Sequence, residues 1–266
     1  MTEVWLGDKS FTELGLVLLK DNQRPILPQT IDRTVLISGK NGAYDFGSDL
    51  GVRQFDLGCA FVKTKSTAEL QLAIRQLIRH LLDDKGRPKT LELKFSTESD
   101  KMYYVRYSGD MPIERIAEYG TFTLPLVAFD SYAYQTELST EITWDSELSM
   151  DSDITFDDEF VFTINGQTTI NVNNFGYVSV SPVIEINGSF ANINISANGK
   201  TFVYSEAFSG VMKIDNDKMT VKAGNTNLLV NSSGDFVELI PGINEIDITG
   251  TDVDASVSFI FRAKFM

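Results

Sequence analysis

Large apolar residues recur at every second position in two stretches of this chain, and in one stretch between them they recur every three or four positions. From Arg53 to Val62 the residues Phe55, Leu57, Cys59 and Phe61 fall on one side, the period of a half-buried strand. From Leu70 to Leu81 the period changes. Leu70, Ala73, Ile74, Leu77, Ile78 and Leu81 make one stripe on a helix. Ser66-Thr67-Ala68-Glu69 ahead of it fits a capping box, and Gly86 and Pro88 stop it. Strands are predicted at Thr90–Ser96, Lys101–Gly109 and Gly120–Phe129. Ahead of Arg53, the short apolar stretch Val35–Ile37 leads into a segment with glycines at 39, 42, 47 and 51, which reads as a loop.

Past the acidic stretch Thr140–Glu159 helical periodicity disappears. Phe160, Phe162 and Ile164 alternate into Asn165-Gly166, and Thr168, Ile170 and Val172 alternate out of it. Asn-Gly suits a two-residue hairpin, because both central positions need positive φ. Asn187-Gly188, Asn198-Gly199, Ser233-Gly234 and Pro241-Gly242 repeat the turn signal, and Val257, Phe259, Phe261, Ala263 and Phe265 close the chain with period two. This half is expected to be an all-β sandwich, and the first half a β-rich α+β domain with one main helix.

Charge divides at the same place. Residues 1–133 hold 17 Lys+Arg and 18 Asp+Glu, a net of −1, whereas residues 134–266 hold 6 and 19, a net of −13. Domains are therefore expected at 1–134 and 135–266. With a net charge of −14, the surface is expected to repel nucleic acid and anionic membranes. No apolar run approaches the roughly 18 residues of a membrane span, and Met1-Thr2-Glu3-Val4-Trp5 lacks a secretory pattern. A protein folded in a reducing cytoplasm is expected, so the sequons at Asn187, Asn194 and Asn231 carry no meaning. Cys59, the single cysteine, is expected in the core.

Groups for catalysis are few. His80 is the sole histidine and lies within the helix, where a structural role is expected. Asp45-Phe46-Gly47 resembles a kinase magnesium motif but has no His-Arg-Asp partner, and there is neither a phosphate loop nor a dinucleotide fingerprint. Asp151, Asp153, Asp157, Asp158 and Glu159 could bind calcium or pair for glycoside hydrolysis, yet no calcium-loop glycine accompanies them. Trp144 and Tyr177 could stack on a sugar, or simply pack at a sandwich edge. Neither metal, cofactor nor enzymatic activity is expected.

Residues 30–134 resemble the N-terminal domain of siphophage distal tail proteins. The resemblance rests on Gly39-Lys40-Asn41-Gly42-Ala43-Tyr44, on the capped helix with the strand pair after it, and on Phe129-Asp130-Ser131-Tyr132-Ala133-Tyr134. In that last signature Ser131 replaces the family's usual proline, and one spacer residue is missing. The end of the chain is similar too, where Leu239-Ile240-Pro241-Gly242-Ile243-Asn244 precedes a strand, Gly250 and a final aromatic strand. The resemblance implies a structural ring, usually hexameric, formed by the N-terminal domain, with a galectin-like sandwich pointing outward. It implies a hub in the virion tail tip that contacts itself, the tail tube protein, a tail-tip protein and in some cases a receptor-binding protein. Lys40, Asn41, Tyr44 and Phe46 are the expected contacts between copies. A galectin sugar site does not carry over, because His80 lies in the wrong domain. A carbohydrate-binding module aiding host adhesion is the alternative, and a cell-wall hydrolase is disfavoured by the missing groups.

Overall fold

A computed structural model describes residues 2–62, 66–116, 119–142 and 159–266. The chain forms two compact units, 1–133 with Met266, and 134–265. In the first unit, β1 (Val4–Leu6), β2 (Lys9–Ser10), β3 (Leu16–Gln23), β4 (Thr30–Leu36), β5 (Ala43–Leu50) and β6 (Arg53–Phe61) precede the helix α1 (Thr67–Leu81). After it come β7 (Leu91–Phe95), β8 (Glu98–Tyr107), β9 (Ile113–Ile116) and β10 (Tyr119–Ala128). Seven strands pair in the order β2-β1-β7-β8-β10-β6-β3, while β9 pairs with β10 and, among the described residues, β4 pairs only with β5.

Alternation along β6 buries Phe55, Leu57, Cys59 and Phe61, and Phe122, Leu124 and Leu126 of its antiparallel neighbour β10 are buried with them. Helix α1 starts at the expected residue, with Ser66 Oγ accepting from Glu69 N at 3.2 Å. Its stripe is narrower than the periodicity suggests. Leu70, Leu77 and Leu81 are buried, but Ile78 is exposed and His80 is buried instead. Histidine tolerates that place because its Nε2 donates to Leu6 O at 2.6 Å. The predicted loop at Gly39–Gly51 is largely wrong, because residues 43–50 are β5, paired with β4 through one bulge. Polar Asp45, Ser48 and Asp49 between the glycines hid the strand, since neither of its sides is buried enough to impose alternation.

In the second unit, β11 (Ala133–Gln135) is followed by β12 (Val161–Asn165), β13 (Thr168–Asn174), β14 (Val183–Phe190), β15 (Asn192–Ala197) and β16 (Lys200–Tyr204). Then come β17 (Phe208–Asp215), β18 (Thr220–Ala223), β19 (Thr226–Asn227), β20 (Ser232–Gly234), β21 (Gly242–Thr251), β22 (Asp254–Ile260) and β23 (Lys264–Phe265). Six strands pair as β12-β22-β14-β17-β18-β19 and five as β13-β21-β15-β16-β20. Each sheet gives a buried row, Ile184, Ile186, Val257 and Phe259 from one, Ile195, Phe202, Ile246 and Ile248 from the other.

The turn signals meet different fates. Asn198-Gly199 is the expected two-residue hairpin between β15 and β16, with φ of 52° and 78°. Asn165-Gly166 is not a hairpin, because β12 and β13 belong to opposite sheets, and Gly166 N bonds Val253 O. Asn187-Gly188 lies inside β14. A Cβ on Gly188 would stand 2.3 Å from Asp254 O, so the glycine is there for close backbone approach. Ser233-Gly234 lies in β20, paired with β16.

Three buried asparagines tie the loops of this unit. Asn174 donates to Val178 O and Leu239 O, each at 3.0 Å. Asn216 donates to Pro182 O at 2.6 Å and accepts from Val237 N at 2.9 Å. Asn244, the last residue of the Leu-Ile-Pro-Gly-Ile-Asn turn, donates to Ile240 O and Gly242 O and accepts from Ile240 N. Each fills backbone positions that would otherwise be buried without partners.

Candidate functional site

Every residue from 29 to 50 is exposed, although β4 and β5 form a regular antiparallel ladder. An isolated two-stranded ribbon of this kind is only marginally stable in water. The apolar content is high for a surface with nothing against it. Because side chains alternate along β4, Ile31, Val35 and Ile37 share one side, and Tyr44 joins them opposite Val35. Leu36 projects from the other side and is 79 % exposed.

All four expected contact residues lie on this ribbon. Lys40 and Asn41 occupy the tip, where the Lys40 ammonium stands 3.3 Å from the centre of the Tyr44 ring. Tyr44 is 46 % exposed, and Phe46, at the bulge, is 66 % exposed. Charge on the ribbon is close to balanced, and Arg33 pairs with Asp49 across it.

The foot of the ribbon is built differently. Gly51 N donates to Gln29 O at 2.7 Å, closing the ladder. Ser131, which stands where the family pattern has proline, donates its Oγ–H to Gly51 O. Arg53 is buried beneath, reaching Tyr103 Oη at 3.2 Å and Ile26 O at 3.5 Å, while its Nε has no hydrogen-bond partner. Arg24 lies 3.6 Å above the Phe95 ring and meets Glu98 at 3.4 Å. Sequence periodicity missed this foot entirely. Arg53 falling in phase with the buried Phe55, Leu57, Cys59 and Phe61 of β6 was the signal available.

The residues considered for chemistry are not assembled. The Cys59 thiol is fully buried, and desolvation pushes its pKa up to about 12. His80 donates to the backbone, and its Nδ1 lies 3.8 Å from the exposed Asp8 carboxylate. Among the described residues no group of His, Cys, Asp or Glu could hold a metal. Asp151, Asp153, Asp157, Asp158 and Trp144 lie outside the described residues. Tyr177 packs edge-on against Phe265 at 5.4 Å.

The phage tail protein RIFT-related domain family matches residues 9–128. No curated protein matches the sequence. Among solved structures, the chain is similar to the Dit protein of phage SPP1, described as a paradigm of hub adsorption apparatus in phages infecting Gram-positive hosts. The two share 14 % identity and a TM-score of 0.73, and all of both chains is covered. A chain of the phage P2 baseplate, in its activated conformation with Ca, also aligns over its whole length, at 11 % identity and a TM-score of 0.47. Residues 9–128 therefore carry the phage tail protein RIFT-related domain, and the chain as a whole has the fold of the SPP1 Dit protein.

Proposed function

We propose that this chain is the hub of a siphophage tail tip, a ring of copies, usually six, that joins the tail tube to the host-adsorption apparatus. In this reading the first unit closes the ring, and the second, a galectin-like sandwich, points outward toward other tail proteins. The contacts are the chain with itself, the tail tube protein, a tail-tip protein and, where the phage has one, a receptor-binding protein.

The observation that carries the reading is the β4–β5 ribbon. Twenty-two successive residues without burial, holding Ile31, Val35, Ile37, Tyr44 and Phe46, need a cover to be stable. A repeated head-to-tail contact with the right rotation closes a ring, and a ribbon laid on the next copy supplies such a contact. Electron micrographs of the purified protein test the proposal. Rings are expected from the wild type, and Tyr44→Ser with Phe46→Ser should leave monomers that melt normally. A wild-type monomer with no rings at any concentration would overturn the assignment.

A further inference from the structure

A second exposed surface of the first unit is charged rather than apolar. Arg75 and Arg79, four residues apart, share the outward side of α1. The loop that follows presents Lys85, Arg87 and Lys89. Between residues 75 and 89 these five cations face only two carboxylates, Asp83 and Asp84, in a chain whose net charge is −14.

The loop is rigidly built. Leu82 bridges Pro88, Lys89 N donates to Leu81 O at 2.9 Å, and Asp83 N donates to Arg87 O at 2.8 Å. Asp83 Oδ1 accepts from the backbone N–H of Lys85 at 2.9 Å and of Arg87 at 2.8 Å. One of the two carboxylates in this stretch, Asp83, is thus bound to backbone amides. Among the described residues none of the five cations is in an ion pair. Other lysines do find partners, as Lys213 with Glu185 at 2.8 Å and Lys218 with Asp215 at 2.9 Å. Compensation of the helix dipole accounts for Arg79 in the last turn. That effect fades within a turn and does not account for Arg87 and Lys89 beyond Leu82.

We infer that this surface, Arg75, Arg79, Lys85, Arg87 and Lys89, docks the acidic second unit of another copy of the chain. Charge complementarity selects the occupant, because residues 134–266 hold 19 acidic and 6 basic residues. A ring repeats every contact between one copy and the next, and a basic patch against an acidic unit adds a pair of unlike surfaces beside the ribbon contact. A preorganised loop lowers the ordering cost of the contact. The inference rests on the proposed self-assembly but uses different residues and a different force from the apolar ribbon.

Full-length protein tests it in two ways. Isotopically light and heavy copies are mixed, then coupled with a zero-length carbodiimide that joins amines to carboxylates. Mixed-isotope links from Lys85 or Lys89 into residues 134–266 are expected. Links confined to single copies would overturn the inference. In parallel, association is measured by light scattering at low and high salt for a variant carrying Arg75→Gln, Arg79→Gln, Lys85→Gln, Arg87→Gln and Lys89→Gln. All five positions lie outside the core, so the variant should melt as wild type does. Its association should be weaker by about tenfold at low salt and equal to wild type at high salt, as solvent-exposed charge pairs behave. Association and salt response identical to wild type would refute the patch as an interface. Retention of duplex DNA by wild type and its loss in the variant would assign the patch to nucleic acid and also overturn the inference. The Tyr44→Ser and Phe46→Ser variant separates the two readings, since its loss of association should be the same at every salt concentration, whereas that of the patch variant should appear only at low salt.

Discussion

Leu77 lies at the centre of the buried side of α1 and is 2 % exposed. Leu77→Asp would place a carboxylate there with no cation to meet it, at a cost of about 3–5 kcal/mol. Soluble expression with an unchanged melting temperature would show that the helix packs by another side. Cys59 offers a gentler probe. Burial raises its pKa from 9.0 to about 12, so the folded state holds the thiol proton more tightly than the unfolded chain. Its contribution to stability is therefore intact below about pH 9 and lost as pH rises toward 12. Thiol alkylation near pH 8 should be slow in the native protein and fast in denaturant, and equal rates would place the residue at the surface. Both residues were legible in the sequence, because each sits in a run whose period matches its element. Arg53 was not. Its burial depends on Tyr103 and Ile26, which are 50 and 27 residues away along the chain.

Local chemistry decided the start of α1, and it can be removed locally. Ser66→Ala deletes the acceptor for Glu69 N and should lower stability by about 1 kcal/mol, seen as a lower denaturant midpoint with unchanged slope. No change would mean that the cap is carried by other groups. Turn pairs were less dependable than the cap. Asn198-Gly199 joins neighbours in one sheet, whereas the same dipeptide at 165–166 joins strands of two sheets. A dipeptide specifies the φ of its own residues and not which strand the chain pairs with next. Gly188 is the opposite case, a turn residue by type that is required inside a strand by the approach of Asp254. The β4–β5 ribbon escaped for a related reason. A strand pair with no buried side has no hydrophobic alternation to read.

For the whole molecule, the charge split and the ribbon together predict a division of labour. Residues 1–134 should associate by themselves, and residues 140–266 should give a folded monomer. Thirteen net negative charges on each second unit oppose packing around an axis, although screening over about 8 Å softens the repulsion at physiological salt. Light scattering on the two halves decides the matter. A multimeric C-terminal half beside a monomeric N-terminal half would reverse the assignment of the ring.

What the sequence determined by itself was whatever depends on neighbours a few residues away. The helix with its cap, the alternating strands β6 and β22, the core position of Cys59 and the acidic second half all follow from spacing and composition. Tertiary structure decided the pairing of strands distant in sequence, which placed β12 beside β22 and β13 beside β21. It also set the buried asparagine ties and converted an apparent loop into an exposed ribbon. Those outcomes depend on backbone groups meeting across long separations, and the order in which they meet is written in no local period.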